Sequence, residues 1–200
     1  MKKLVLKTAF ITLAVTVVLA LSVYGILSSF TPALMMRITD ALGLEGASGD
    51  YAYAEYERSG DVDYLARAFE YAAANGKDKK AEERFALLYA HEGFSALCEK
   101  RDAETGEEIG YRAYICGQAA CVRYRLADTD EKKAEVITFA VSETAHTFPS
   151  GNPVIALSVE AARAEDKAFC ALLLGSIEGQ FEDNINYRSI VSILEGITNE

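Results

Sequence analysis

The stretch DVDYLARAFEYAAANG, residues 61–76, has the pattern of one complete amphipathic helix. Asp61 is a good N-cap residue, because its side chain can accept a backbone N–H, and Asn75-Gly76 is a common helix ending. Between these ends the apolar residues recur every three or four positions and share one face: Val62, Leu65, Ala66, Phe69 and Ala73. The stretch therefore predicts a helix that buries this face.

The same spacing continues to the end of the chain. It predicts further helices with these inward-facing groups: Ala81, Phe85 and Leu88; Phe94, Leu97 and Cys98; Ile109, Ala113, Cys116, Ala120 and Tyr124; Ala134, Ile137, Val141 and Ala145; Val154, Leu157 and Ala161; Ala168, Phe169, Leu172 and Leu173; Ile190, Ile193, Leu194 and Ile197. Polar turns are predicted at 101–107, 148–153 and 183–184. One helix is predicted from about Glu107 to Leu126, and Asp128-Thr129-Asp130 is predicted to end it and to cap the next helix. The pattern predicts an all-α fold, built as a stack of helical hairpins or as an irregular bundle.

The segment AYAEYERSGDVDYLARAFEYA, residues 52–72, resembles a tetratricopeptide repeat. Tyr56 matches the aromatic residue that ends that family's first helix, and Phe69 and Ala72 match the aromatic and small positions of its second helix. Three positions depart from the family: Leu65 stands where a small residue is usual, Tyr53 where glycine is usual, and Lys77 where proline closes the unit. The resemblance implies a concave surface that binds a peptide or another protein. An unclassified helical bundle is the alternative.

Five tyrosines crowd this predicted hairpin: Tyr51, Tyr53, Tyr56, Tyr64 and Tyr71. Tyrosine is favoured at protein interfaces, so the group is a candidate protein-binding surface. Aromatic stripes in helices also fill cores. The second interpretation is a small helical core with the hydroxyls at its rim.

A long uncharged stretch precedes the helical region. No charge occurs from Thr8 to Met36, and the densest part, TAFITLAVTVVLALSVYGIL (8–27), has the length of about 20 residues that crosses a bilayer. We predict a transmembrane helix over residues 8–30. A cleaved signal peptide would have a shorter apolar core, of roughly 7–15 residues, followed by small residues. Ala20-Leu21-Ser22 resembles such a site, but the run to Phe30 favours a retained signal anchor.

The charges around this stretch predict its orientation. Lys2, Lys3 and Lys7 precede it, and positive residues are retained on the cytoplasmic side. We therefore expect a single-pass protein of the cell membrane with residues 1–7 in the cytoplasm. Residues 31–47 are predicted to form a partly helical juxtamembrane linker, and residues 48–200 an extracytoplasmic helical domain.

The chain beyond the predicted anchor is strongly acidic. The whole chain has 20 Lys plus Arg and 30 Asp plus Glu, and residues 1–37 contain four basic and no acidic residues. The remaining 163 residues therefore carry 16 basic and 30 acidic side chains, a net charge of −14. Such a surface repels phosphate backbones, so no nucleic-acid partner is expected.

The sequence contains no constellation that predicts catalysis or a metal site. Ser95 stands where a zinc-binding HExxH motif that begins at His91 needs its second histidine, and His146 lies at a predicted helix end. No CxxC pair or phosphate-binding loop occurs. No catalytic residue, cofactor, metal or small-molecule ligand is therefore predicted. Free thiols are favoured for the four cysteines, although their disulfide state stays open: Cys98, Cys116, Cys121 and Cys170.

Two functions from different classes remain at this stage. The first is a membrane-anchored, non-enzymatic helical scaffold that docks another protein at the outer face of the membrane. The second is a cell-envelope enzyme, such as a hydrolase, with an unrecognised site that would gather His91 or His146 with carboxylates. Signal cleavage would turn the first into a secreted helical protein.

Overall fold

A computed structural model of the protein describes residues 2–105, 110–147, 152–180 and 187–199. These ranges contain eleven helices and no strand, which confirms the predicted all-α class. The helices are α1 (Lys2–Phe30), α2 (Pro32–Ala41), α3 (Glu45–Ser59), α4 (Val62–Ala74), α5 (Asp78–Tyr89), α6 (Phe94–Thr105), α7 (Tyr111–Leu126), α8 (Asp130–His146), α9 (Asn152–Arg163), α10 (Lys167–Ile177) and α11 (Tyr187–Thr198).

Several helix ends follow the predicted capping residues. The side chain of Asp61 accepts the backbone N–H of Asp63 at 3.0 Å and opens α4. That helix ends at Ala74, and Gly76 has a φ of 64°, a left-handed conformation that glycine adopts without strain. Thr129 caps α8, because its hydroxyl oxygen accepts the backbone N–H of Lys132 at 3.3 Å.

The polar turn predicted at 101–107 is wrong for its first five residues. Helix α6 continues through Thr105, and the next helix begins at Tyr111 rather than near Glu107. Lys, Arg, Ala and Glu are good helix formers even without an apolar stripe. Lys100 and Glu104 also form an i,i+4 ion pair at 3.9 Å on this helix. Residues 106–109, which include the predicted inward-facing Ile109, lie outside the described residues.

The predicted buried face of α8 is also wrong in part. Ala134 and Ala145 are exposed and Val141 is half-buried, so only Ile137 of that face is buried. The face that packs inward consists of Val136, Ile137, Ala140, Glu143 and Thr144. This helix has apolar residues on two overlapping faces, and packing against its neighbours selects the face that includes Glu143.

The remaining predicted positions are mostly confirmed. Val154, Leu157 and Ala161 of α9 are buried, and so are Ile190 and Leu194 of α11. On α10, Phe169 and Leu173 are buried whereas Ala168 and Leu172 are exposed. The predicted loops at 148–151 and 183–184 lie outside the described residues.

The chain divides into two compact units, Met1–Tyr71 and Ala72–Glu200, with the division inside α4. The boundaries predicted after residues 30 and 47 separate the membrane segment and its linker from the helical domain, and they stay predictions. In the first unit, α2 packs against α3 through its buried face of Pro32, Met35, Met36 and Thr39. One buried cluster of this unit joins α2, α3 and α4 and includes Met36, Ala52 and Ala68. Small residues at such helix crossings let the backbones approach closely.

Helix α7 organises the second unit by packing against α5, α6, α8 and α9. Its buried residues include the small side chains Ala113, Gly117, Ala119 and Ala120. Several neighbours can approach the helix because these side chains take little space. One core cluster of the second unit comes from α7–α11: Ala120, Tyr124, Val136, Ile137, Ala140, Val154, Leu157, Ala161, Phe169, Cys170, Leu173, Ile177, Ile190 and Leu194.

Two arginines near the end of α7 tie it to neighbouring helices. Arg123 pairs with Glu82 of α5 at 2.9 Å. Arg125 pairs with Asp78 of α5 at 2.8 Å and with Glu160 of α9 at 2.7 Å. These pairs are partly exposed, where each stabilises a fold by only about 0–1 kcal/mol. Their geometry nevertheless fixes the register of α5 and α9 along α7.

Among the described helices, α1 is long and apolar enough to cross a membrane. The segment that meets this test is Phe10–Leu27, and none of it is buried against the rest of the protein. A signal sequence would also be an apolar helix near the amino terminus. The predicted transmembrane helix therefore agrees with the structure in length and composition.

Candidate functional site

The five tyrosines of the candidate surface lie on α3 and α4, and all five are half-buried. Tyr51, Tyr53 and Tyr64 pack against the apolar cluster of Met36 and its neighbours in the first unit. The rings of Tyr53 and Tyr56 lie next to each other, with centroids 6.1 Å apart and planes tilted by 47°. The rings of Tyr51, Tyr53 and Tyr64 therefore contribute to the core of this unit, and all five tyrosines keep part of their surface in solvent.

The hydroxyls of Tyr51 and Tyr71 have partners inside the first unit. The Tyr51 hydroxyl lies 2.5 Å from the Tyr24 hydroxyl of α1, and the Tyr71 hydroxyl donates to Oδ1 of Asp40 at 2.6 Å. Burial and the Asp40 hydrogen bond raise the pKa of Tyr71 to about 12. Burial, followed by the hydrogen bond with Tyr24, raises the pKa of Tyr51 to about 12. Both groups are neutral near pH 7 and act as fixed contacts.

Glu55 joins α2 to α3 from a buried position, with 2% of its surface exposed. Its Oε2 accepts the backbone N–H of Ala33 at 3.2 Å, in the first turn of α2, and the Arg58 Nε–H at 3.1 Å. A carboxylate at a helix amino terminus is stabilised by the helix dipole. The Arg58 hydrogen bond, helped by the Ala33 amide, outweighs burial and lowers the pKa of Glu55.

The most concentrated polar cluster of the described residues surrounds Glu143 of α8, which is 1% exposed. Its carboxylate accepts hydrogen bonds from the Tyr89 hydroxyl at 2.6 Å and from Arg112 Nε at 3.0 Å. The Cys116 thiol donates to it at 3.3 Å. The Arg112 guanidinium also stacks within 5.6 Å of the ring centroids of Tyr89 and Phe94. The cluster thus joins α5, α6, α7 and α8.

The chemistry of this cluster favours a structural role. Burial raises the pKa of Glu143, but the hydrogen bonds from Arg112, Tyr89 and Cys116 outweigh it, so the net pKa is lowered. Burial, with the nearby Glu143 charge, raises the pKa of the Cys116 thiol far above its usual range, and burial raises that of Cys98 to about 11. The thiolate is the nucleophilic form of cysteine, and it is disfavoured at both positions.

Glu143 and Arg112 are not among the residues predicted from the sequence. A sequence signal for Glu143 exists, because it follows Val136 and Ala140 at helical spacing on one face of α8. A charged residue within an apolar stripe indicates a buried ion pair or hydrogen-bonded carboxylate. Glu143 was not predicted because the predicted core face of α8 was the other one. Glu55 was missed for a related reason, since α3 is rich in small residues and its apolar face is weak.

The two histidines do not combine with carboxylates at either described groove. His91 Nδ1 accepts the backbone N–H of Gly93 at 3.0 Å in the turn before α6, and His146 is exposed in the last turn of α8. One groove, of about 490 Å³, is lined by Glu82, Arg123, Leu126, Ala127, Lys132, Glu135 and Val136. The other, of about 360 Å³, is lined by Ala73, Ala74, Tyr114, Gln118, Cys121, Arg125 and Ala156.

The described residues contain no group of three or more His, Cys, Asp or Glu side chains placed to hold a metal ion. All four cysteines are free thiols in the structure. The candidate sites are therefore the half-buried tyrosine group on α3 and α4 and the buried cluster around Glu143.

The chain matches no protein-family model, and no curated protein and no solved structure matches it.

Proposed function

We propose that the protein is a single-pass, membrane-anchored helical scaffold without enzymatic activity, which docks another protein at the outer face of the membrane through the tyrosines of α3 and α4. The observation that carries the proposal is the exposure of the apolar segment Phe10–Leu27 of α1. An uncharged and mostly apolar segment of eighteen residues is not left in water, because burying apolar surface is the main favourable term in folding. A bilayer provides that burial for a retained helix.

The basic residues Lys2, Lys3 and Lys7 support a cytoplasmic position for the amino terminus, since positive charge is retained in the cytoplasm. The helical units that follow α1 then face outward. Their net charge of −14 beyond residue 37 supports a protein partner rather than nucleic acid.

The pair of Tyr53 and Tyr56 supports the docking part of the proposal. Their rings are half-buried with centroids 6.1 Å apart, and Tyr53 also packs against the core of the first unit. Rigid aromatic side chains lose little conformational entropy on binding and are enriched at interface hot spots. The tetratricopeptide-like resemblance of residues 52–72 stays a prediction, and it favours the same hairpin as the docking element.

Fractionation with amino-terminal sequencing tests the anchor. The full chain should remain with the membranes and begin at or near Met1. A soluble product that begins near Val23 would show that α1 is a signal peptide and would remove the anchor from the proposal. Protease added to intact cells should digest the carboxyl-terminal helices, and a reporter active only in the cytoplasm should be silent when fused after Glu200.

Photocrosslinking in intact cells tests the docking surface. A photoreactive residue in place of Tyr56 should give a discrete adduct with one protein, which mass spectrometry can identify. The same residue in place of Tyr114, an exposed tyrosine on α7, is the matched control and should not give that adduct. Equal labelling from both positions, or none from Tyr56, would contradict docking at α3 and α4.

A further inference from the structure

An apolar stripe covers the outward face of α2, directly after α1. At 100° per residue, its members fall within about 100° of one another around the helix axis. They are Leu34, Ile38, Ala41 and Leu42, all exposed, and Leu44 adds another exposed side chain just beyond the helix. The opposite face of α2 packs into the first unit through Met35, Met36 and Thr39. The helix is therefore apolar on both sides, and among the described residues only the side of Met35 and Met36 is buried.

Exposed apolar side chains are concentrated in this short segment. Beyond α1, the large apolar side chains that are exposed among the described residues are Leu34, Ile38, Leu42, Leu44, Leu87, Tyr89, Tyr114 and Leu172. Half of these lie within residues 34–44. Single exposed apolar residues are normal, whereas a continuous group marks a surface that something else covers.

The length of α1 indicates what covers the apolar stripe of α2. Tyr24 lies 17 residues after Lys7, or about 26 Å along a helix, close to the thickness of about 30 Å of a hydrocarbon core. Thr31 lies 24 residues after Lys7, or about 36 Å, which is within the headgroup layer. With Lys7 at the inner boundary, α2 begins at the depth where interfacial amphipathic helices lie.

Contacts within the first unit hold α2 at the depth of the headgroup layer. Thr31 is the only residue between α1 and α2, and its backbone N–H bonds to the Leu27 carbonyl at 2.9 Å. The Tyr24 and Tyr51 hydroxyls are 2.5 Å apart, so a side chain of α3 contacts a side chain near the end of α1. Tyrosine is enriched at membrane–water interfaces, where its ring is in lipid and its hydroxyl is hydrogen-bonded. Arg37, at the edge of the stripe, is placed to reach lipid phosphates.

We propose that the stripe of Leu34, Ile38, Ala41 and Leu42, together with Leu44, inserts into the interfacial layer of the same bilayer that α1 crosses. The occupant of this face is therefore lipid, and α2 lies along the membrane surface as an interfacial helix. This inference rests on the proposed membrane anchor. Its consequence is a fixed height and orientation of the α3–α4 hairpin above the bilayer, since α2 packs directly on α3.

Single-tryptophan variants test this directly, because the chain contains no tryptophan. Leu34→Trp reports on the stripe, and Leu87→Trp on α5 is the matched control, since both leucines are 46% exposed. Val18→Trp reports on α1. The full chain is synthesised cell-free into phosphatidylcholine–phosphatidylglycerol nanodiscs, some with lipids that carry a doxyl quencher near the headgroup and others with one deep in the acyl chain.

We expect Leu34→Trp to emit at shorter wavelength than Leu87→Trp and to be quenched several-fold more strongly by the shallow doxyl lipid. Val18→Trp should be quenched most by the deep doxyl lipid. Emission and quenching of Leu34→Trp equal to those of Leu87→Trp would overturn the inference. A blue-shifted Leu34→Trp without lipid quenching would also overturn it, because a second copy of the chain would then cover the stripe. Loss of Val18→Trp quenching would instead refute the anchor itself.

Discussion

The carboxylate of Glu143 and the guanidinium of Arg112 are joined at 3.0 Å, and Glu143 is almost completely withdrawn from solvent. The pair connects α8 to α7, the helix around which the second unit is organised. Tyr89 and Cys116 complete the hydrogen bonding of the carboxylate. A buried charge is tolerated only when it is paired and hydrogen-bonded in this way.

Replacement of one partner should therefore be costly. We expect Glu143→Gln to lower the free energy of unfolding by about 3 kcal/mol, at the lower end for a broken buried ion pair because Arg112 is partly exposed. Glu135→Gln, on an exposed position of the same helix, is the matched control and should change it by less than about 0.5 kcal/mol. Thermal melting of the full chain in detergent, followed by circular dichroism, measures both. Equal melting temperatures would contradict the structural role of the pair.

Acid should weaken the fold through Glu55 and Glu143. The pKa of each carboxyl is lower in the folded protein than its ordinary value of about 4.3. Below about pH 5 the unfolded chain thus binds more protons than the folded protein, and stability falls as the pH drops. The melting temperature should decline from pH 6 to pH 3 more steeply for the wild type than for the double variant Glu55→Gln, Glu143→Gln. Parallel curves would show that these carboxylates do not carry the acid sensitivity.

Phe69 should contribute strongly to the stability of the first unit. It is 0% exposed, and Phe69→Ala removes a fully buried ring. The expected loss is about 3–5 kcal/mol, which is large against a typical domain stability of roughly 5–15 kcal/mol. Leu87→Ala, at a half-exposed position of α5, should cost about 0.5 kcal/mol. If both variants have the same melting temperature as the wild type, the hairpin of α3 and α4 is not packed as described.

The cysteines should react slowly as long as the protein is folded. Cys98, Cys116 and Cys170 are buried, and burial raises the pKa of all four thiols. Titration with a thiol reagent at pH 7 should modify less than one thiol per chain quickly, with Cys121 the first to react. Denaturation without reductant should release four thiols. A count of two would reveal a disulfide and contradict the free-thiol structure.

The sequence alone determined the all-α class and several helix ends. Asp61, Thr129 and Gly76 act within one or two residues of their own position, so local sequence is enough to identify them. The apolar segment of α1 was equally evident, because the length and composition of a span are properties of the chain itself. The faces of α4, α5 and α9 followed from spacing, since each has one clear apolar stripe.

Only the tertiary structure decided which face of α8 is buried and what Glu143 binds. The helix has two overlapping apolar faces, and the choice depends on α7 and α9, which come from other parts of the chain. The same holds for Tyr24 and Tyr51, which meet although 27 residues separate them. Helix periodicity is local and can be seen in sequence, whereas the partners of a buried carboxylate or a tyrosine hydroxyl are fixed by how distant helices pack.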